Sequence, residues 1–225
     1  MTAERIGKYC GLAALALLAL GLYLGLYWAP AERIMGDVYR IMYVHFPSWV
    51  GTAAGYLTAF VASILYLWKR QPKFDYWAYA GAEVGLLFNV TGLITGSIWG
   101  RPTWGVWWTW DPRLTTTAIM AITFAGYLVL RAFMEDPESR ARVAALVAIV
   151  GFLNVPLVYF SVRIWRTLHQ VQSSPETVDA SMVTSLRVMM AAFLLLFVFL
   201  LTRRYLLARV QGEEELAALR PEAIS

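Results

Sequence analysis

The sequence has little charge and almost no cysteine. Charged residues make up 15% of the 225 residues and hydrophobic residues 59%, whereas soluble domains average about 25% and about 45–50%. Cys10 is the single cysteine, which excludes an intrachain disulfide, a C-x-x-C thiol-exchange motif and the C-x-x-C-H motif of c-type cytochromes. No G-x-x-x-x-G-K-[ST] phosphate loop occurs, so the chain is not itself an ATPase. This composition indicates an integral membrane protein.

Six apolar runs are long enough, at roughly 20 residues each, to cross about 30 Å of hydrocarbon. They lie near residues 9–28, 46–68, 76–99, 114–130, 143–162 and 182–202. The first run follows Arg5 and Lys8, as in a secretory signal, but it exceeds the about 7–15 apolar residues of a signal and ends without a small-residue cleavage site. We therefore expect an all-α membrane protein whose residues 1–225 form a single domain of six transmembrane helices.

The basic residues predict the orientation of this domain. Twelve of the 19 Lys and Arg residues lie in the two termini and in the two connections on the same side of the membrane as the termini. Six lie in the connections on the other side, and Arg187 lies inside the last run. The positive-inside rule then places both termini in the cytoplasm. The outer connections, which face the periplasm of a Gram-negative bacterium, are residues 29–45, 100–113 and 163–181. Since the net charge of +4 mostly reflects this topology, it gives no reason to expect nucleic acid binding.

Four of the ten tryptophans lie within seven residues of the second outer connection. They are Trp104, Trp107, Trp108 and Trp110. Indole rings offer flat contact area and an N–H donor, which suits a planar amphipathic ligand. The alternative is an interfacial aromatic belt, although a belt spreads its tryptophans over several helix ends. Because four rings spaced this closely cannot share one face of a helix, we expect them to splay from a loop.

The motif around these tryptophans resembles a known signature. Residues 104–115, WGVWWTWDPRLT, match at every fixed position the W-G-x-W-W-x-W-D-x-R-L-T motif of the heme-handling proteins of cytochrome c biogenesis, with Pro112 at a variable position. Residues 40–48 and 161–170 resemble two further landmarks of one such family, the heme exporter protein C or cytochrome c maturation protein C family. The resemblance covers essentially the whole chain.

The two histidines are candidate ligands for heme iron. His45 and His169 fall in the first and third outer connections, on either side of the tryptophan motif in the sequence. A single interfacial histidine is more often solvated or hydrogen-bonded than a ligand. Two neutral imidazoles beside an aromatic platform, however, can fill both axial positions of a heme iron while indoles cover the porphyrin.

Arginines near these residues are candidates for binding the heme propionates, because a guanidinium forms a bidentate pair with a carboxylate. We favour Arg40 and Arg113, which the resemblance also supports. Arg163 and Arg166 precede His169, and contact with lipid headgroups is an equal alternative for both.

Three further polar residues have competing interpretations. Asp111 is placed to cap the fourth helix, and the resemblance implies a role in the heme site, through Arg113 or an indole N–H; the two roles are compatible. Glu83 lies inside the third run, where an acid indicates either function or pairing with a basic group near the cytoplasmic end. Arg187 is close enough to the outer end of the last run to reach the interface.

The resemblance implies a multi-pass protein of the bacterial inner membrane that binds heme b non-covalently at its periplasmic face. It implies delivery of that heme to a membrane-anchored periplasmic heme chaperone, in assembly with a small single-span maturation subunit and ATP-driven transporter subunits. Such a protein handles and transfers heme rather than catalysing a reaction, although the resemblance allows it to assist covalent attachment of heme to the chaperone.

Other functions compatible with the composition are a b-type heme redox subunit, a small-molecule transporter and a scaffold anchored by its aromatic residues. A bundle cytochrome takes its heme ligands from facing helices, whereas both histidines are predicted to lie outside the spans. A transporter usually binds near the midplane at broken helices, where this sequence offers only Glu83 and Asn89 as polar groups.

Overall fold

The computed structural model describes residues 3–169 and 179–218, and these residues are helical with no strand among them. Their α-helices are α1 (Ala3–Tyr23), α2 (Met42–Lys69), α3 (Pro72–Trp104), α4 (Pro112–Phe133), α5 (Pro137–Phe152), α6 (Asn154–Ile164) and α7 (Ala180–Ala218). A π-turn at Leu24–Trp28 extends α1, and a 3₁₀ turn at Asp37–Ile41 leads into α2. Because α5 and α6 follow each other directly, the described residues contain six helices long and apolar enough to span a membrane. The predicted fold class is confirmed.

Helix α2 begins earlier than the apolar run indicated. The sequence placed its start near Phe46, just before Pro47, whereas the helix begins at Met42 and Pro47 lies in its second turn. The hydroxyl of Ser48 donates a hydrogen bond of 2.7 Å to the carbonyl of Val44 in this turn. His45 is therefore a helical residue and not the end of a loop.

Prolines and aspartates start the later helices. Pro72, Pro112 and Pro137 each stand at the beginning of a helix, where the missing N–H needs no partner. The Asp111 carboxylate accepts a hydrogen bond of 2.8 Å from the amide of Leu114, which confirms its predicted role as the N-cap of α4.

Helices α2 and α3 pack with their backbones in close contact. A Cβ atom at Gly55 would lie 2.5 Å from the Gly85 Cα, and one at Gly81 would lie 2.8 Å from the Ala59 nitrogen. Any larger residue at Gly55 or Gly81 would push the helices apart, as at small-residue contacts between membrane helices. This contact fixes α2 and α3 as one rigid pair.

Ion pairs join the helices at the end of the bundle where α2 finishes and α3 begins. Arg131 of α4 donates two hydrogen bonds, of 2.6 and 2.7 Å, to the Asp75 carboxylate of α3, and both side chains are buried. Arg204 of α7 pairs with Glu83. Glu83 therefore pairs with a basic group, one of the two alternatives that the sequence left open.

We expect replacement of Arg131 by Met to lower the free energy of unfolding by about 3–5 kcal/mol, because it leaves the Asp75 carboxylate buried without its partner. The matched control is Arg142→Met, which removes the exposed pair with Glu138 and should cost less than about 1 kcal/mol. Reversible denaturation in mixed micelles measures both. Equal losses in the two variants would contradict a structural role for the buried pair.

Candidate functional site

A cavity of about 450 Å³ opens at the opposite end of the bundle, between α2, α3, α4 and α6. Its volume lies within the range of small-molecule sites, about 300–1,000 Å³. His45 and His169 both line it. Most of the other walls are apolar and include Phe46, Val50, Leu93, Trp99, Met120 and Val155. We call this end of the molecule the histidine end.

His45 is held between α2 and α3. Both of its ring nitrogens are within hydrogen-bond distance of a side chain: Nε2 of Trp49 Nε1, at 2.9 Å, and Nδ1 of Thr95 Oγ1, at 3.0 Å. The ring also contacts Trp99 edge to face, with 5.6 Å between ring centroids. The imidazole is thus fixed in position before any ligand arrives.

His169 is positioned by the carboxylate that caps α4. Its Nδ1 lies 3.3 Å from Asp111 Oδ2, which also accepts a hydrogen bond of 3.1 Å from the amide of Leu168. Trp104 packs edge to face on the imidazole, with 4.8 Å between ring centroids. Asp111 therefore joins the segment that carries His169 to the start of α4.

Burial and a nearby positive charge favour the neutral form of His169. Burial, followed by the positive charge of Arg113, lowers the pKa of the imidazole below its usual value, against the opposite effect of Asp111. Burial also disfavours the Asp111 carboxylate, but the amides of Leu114 and Leu168 and the nearby His169 hold its net pKa below the usual value. A neutral imidazole keeps its lone pair for a metal ion, so His169 remains a competent ligand at lower pH than an ordinary histidine.

Arg113 lines the same cavity as the two histidines. Among the described residues, no carboxylate lies within ion-pair distance of its guanidinium and no group accepts a hydrogen bond from it. A half-buried cation that has no partner among these residues and lies beside an apolar cavity is suited to binding an anionic group of a ligand.

The tryptophan motif divides into two parts. Trp104 is the last residue of α3 and lines the cavity, so the expectation that all four rings splay from a loop is wrong for this residue. Trp107, Trp108 and Trp110 lie in the connection to α4 and do not line the cavity. Trp107 and Trp110 expose 58% and 77% of their surface, which leaves them free to contact another molecule.

The other arginines that were candidates for binding the heme propionates lie outside the cavity. Arg40 donates hydrogen bonds of 2.5 and 3.0 Å to the carbonyls of Gly25 and Ala29 and pairs with Asp37. These contacts tie the end of the π-turn to the start of α2. Arg163 and Arg166 are exposed at the end of α6.

Sequence reasoning missed Trp49 and Thr95, which hold the His45 ring. The spacing of His45 and Trp49, four residues apart, would have placed them on one helix face had the start of α2 been recognised. Thr95 had no such signal, because its contact depends on how α2 and α3 pack.

A membrane-spanning helical bundle with a two-histidine cavity at one end is the class of protein that these features define. The family model named heme exporter protein C matches residues 1–217. The heme exporter protein C of Bradyrhizobium diazoefficiens is 38% identical over 201 residues, which cover 87% of this chain and 76% of the relative. That of Escherichia coli K12 is 32% identical over 200 residues, 85% of this chain and 82% of the relative.

A third relative is a putative ccmC-like mitochondrial protein of cytochrome c biosynthesis from Marchantia polymorpha. It is 34% identical over 198 residues, which cover 85% of this chain and 84% of the relative. The chain belongs to the heme exporter protein C family. Membership of this family implies a membrane protein with a role in heme export for cytochrome c maturation.

Replacing Arg113 by Gln should raise the pKa of His169, since the charge that disfavours the imidazolium is removed. Asp111→Asn should lower the pKa of His169 below its value in the unaltered protein, because the charge that favours the imidazolium is removed. Arg113→Lys, which keeps the charge, is the control. Titration of ¹⁵N-histidine-labelled protein by NMR measures these shifts, with His45 as the only other histidine. Shifts of the opposite sign would contradict the proposed electrostatics.

Proposed function

We propose that this protein binds heme b non-covalently in the cavity at the histidine end, with His45 and His169 as the axial ligands of the iron. The observation that carries this proposal is that the two histidines of the chain line one apolar cavity. Two imidazoles are too few ligands for a bare ion such as zinc, which takes four. They are the right number for heme, whose porphyrin supplies the remaining ligands.

The chemistry of the walls suits the rest of the heme. Apolar and aromatic side chains surround the cavity, as a porphyrin requires, and Trp104 and Trp99 contribute large flat surfaces. Arg113 supplies a cation for a propionate. Arg40 is already engaged by Asp37 and two carbonyls, so Arg113 is the better candidate for this role.

We infer from the basic residues that the histidine end faces the periplasm of a bacterial inner membrane and that both termini are cytoplasmic. Heme bound there is available to a membrane-anchored periplasmic heme chaperone, which the exposed Trp107 and Trp110 are placed to contact. A small single-span maturation subunit and ATP-driven transporter subunits complete the proposed assembly. In this account the protein transfers heme and catalyses no reaction of its own.

A b-type cytochrome subunit is the alternative nearest to this proposal. His45 lies in α2 and not outside the spans as predicted, so one of the two histidines is on a spanning helix, as the ligands of a bundle cytochrome are. The family to which the chain belongs favours heme transfer over electron transfer.

Replacing His45 or His169 by Ala should remove one axial ligand and change the heme from six-coordinate to five-coordinate, with recovery on addition of imidazole. The visible spectrum and the heme content of detergent-purified protein measure this. The double variant should lose most of its heme. An unchanged spectrum in the double variant would contradict ligation by these residues.

Truncation of the exposed part of the tryptophan motif should reduce heme transfer without preventing membrane insertion. We expect Trp107→Ala combined with Trp110→Ala to lower the delivery of heme to the chaperone by at least about tenfold, as loss of aromatic anchors does at interfaces. Trp68→Ala is the matched control, because this exposed tryptophan lies at the other end of α2. If both variants deliver heme equally well at equal membrane abundance, the proposed role in transfer is wrong and the tryptophan motif is an interfacial belt.

A further inference from the structure

The nitrogen of His45 that would bind iron is already occupied by a hydrogen bond. The indole N–H of Trp49, one helical turn further along α2, donates to His45 Nε2 over 2.9 Å. On the other side of the ring, Nδ1 faces Thr95 of α3. An iron atom at Nε2 and the Trp49 N–H would compete for the same lone pair.

The hydrogen-bond pattern defines the tautomer of His45. The Thr95 hydroxyl has one proton, and it is donated to the Thr91 carbonyl over 2.7 Å, so toward His45 its oxygen acts as acceptor. Nδ1 of His45 therefore carries the ring proton. An indole N–H can only donate, so Nε2 carries the lone pair. Both neighbours select the same neutral form, with the metal-binding nitrogen directed at Trp49.

Helix α3 leaves space for this pair of rings. A Cβ atom at Gly92 would lie 2.8 Å from Cζ2 of the Trp49 indole, and one at Gly96 would lie 3.0 Å from Cε1 of the His45 imidazole. Two glycines one turn apart thus accommodate two rings one turn apart on the neighbouring helix. The fit indicates that the contact between Trp49 and His45 is built into the packing of α2 on α3.

His169 differs from His45 in this respect. Asp111 and Thr167 lie near its Nδ1, which leaves Nε2 on the far side of the ring. Within residues 3–169 and 179–218, no group makes a hydrogen bond to that Nε2. Among the residues that the structure describes, the two candidate ligands are therefore unequal: His169 Nε2 has no hydrogen-bond partner, whereas His45 Nε2 accepts a hydrogen bond from the Trp49 indole N–H.

We propose that Trp49 is a positioning residue that reversibly caps His45 Nε2, so that heme iron binds His169 first and gains His45 only when the Trp49 N–H withdraws. This inference rests on the proposed function and adds an order to the two ligation steps. In the second step the bond from iron to Nε2 forms and the hydrogen bond from the indole to Nε2 breaks. No proton or electron is transferred.

The cap favours release as well as ordered binding. When the bond between iron and His45 breaks, the Trp49 N–H takes up the freed lone pair, which stabilises the five-coordinate state bound through His169 alone. A hydrogen bond of ordinary strength changes such an equilibrium by about twofold to tenfold. That is enough to make heme transferable while leaving it bound.

Trp49→Phe keeps an aromatic ring and removes the N–H, so it tests the cap directly. In heme-free protein labelled with ¹⁵N-histidine, the Nε2 resonance of His45 should move toward the position of a nitrogen without a hydrogen bond. In heme-loaded protein, the transfer of heme to apomyoglobin should slow by about twofold to tenfold. Trp77→Phe is the matched control and should change neither quantity, because Trp77 stacks on Tyr205 far from the cavity.

A second measurement uses the unaltered protein and does not depend on the folding of a variant. Rapid mixing of heme with the heme-free protein should produce a five-coordinate spectrum that converts to a six-coordinate one in a later step independent of heme concentration. A single step straight to the six-coordinate spectrum would overturn the proposal, as would an unchanged His45 resonance in Trp49→Phe.

These results are distinguishable from failure of the proposed function. If heme is retained unchanged when both histidines are replaced, the ligation itself is wrong, whatever the behaviour of Trp49. If both histidines bind heme and Trp49→Phe releases it at the rate of the unaltered protein, only the cap is wrong.

Discussion

The hydrogen bonds of the Asp111 carboxylate hold the histidine end together. One oxygen caps α4 through the amide of Leu114, and the other accepts the amide of Leu168 and lies beside His169 Nδ1. A segment with little regular structure is thereby fixed to the start of a rigid helix. A carboxylate behind a histidine also sets which ring nitrogen faces a metal, as in many metal sites. One side chain thus fixes this segment and orients the imidazole of His169, the proposed ligand.

The opposite wall of the cavity is fixed by packing rather than by charge. The close contact of α2 with α3 at Gly55, Gly81 and Gly85 extends to Gly92 and Gly96, where Trp49 and His45 fill the space left by the missing side chains. Displacement of either helix would move His45 relative to Thr95. The two histidines are thus held by different means, His169 by a hydrogen-bonded loop and His45 by a helix pair. This difference suits the proposed site, which has to hold heme and then release it.

Much of this arrangement could be predicted from the sequence because its determinants are local. Hydrophobic length gave the six spans, and the pattern Asp-Pro gave the cap of α4 at Asp111. The start of α2 was predicted near Phe46, where the apolar run begins, so the first turn of the helix was missed. The contact between His45 and Trp49 was missed for the same reason. A sequence pattern relates residues that are about one helical turn apart. It does not identify which residue of another helix a side chain contacts.

The roles of the arginines depended on tertiary contacts that sequence does not encode locally. Arg40 and Arg113 were equivalent candidates, but only Arg113 lines the cavity, since carbonyls at the end of the π-turn and Asp37 take up the donors of Arg40. Likewise, the motif's four tryptophans were treated as one platform, although α3 extends to Trp104 and separates it from the exposed rings. Helix ends are where sequence patterns are least informative, and this site is built at helix ends.

His45 and His169 are proposed to bind one iron from two sides of a single cavity. Electron–nuclear double resonance of the ferric, heme-loaded protein labelled with ¹⁵N-histidine measures this binding, because a nitrogen bound to the iron has a strong hyperfine coupling and the label separates imidazole from porphyrin nitrogens. We expect couplings from two axial imidazoles in the unaltered protein and from one in each single variant, His45→Ala and His169→Ala. The absence of any histidine coupling in the unaltered protein would contradict it.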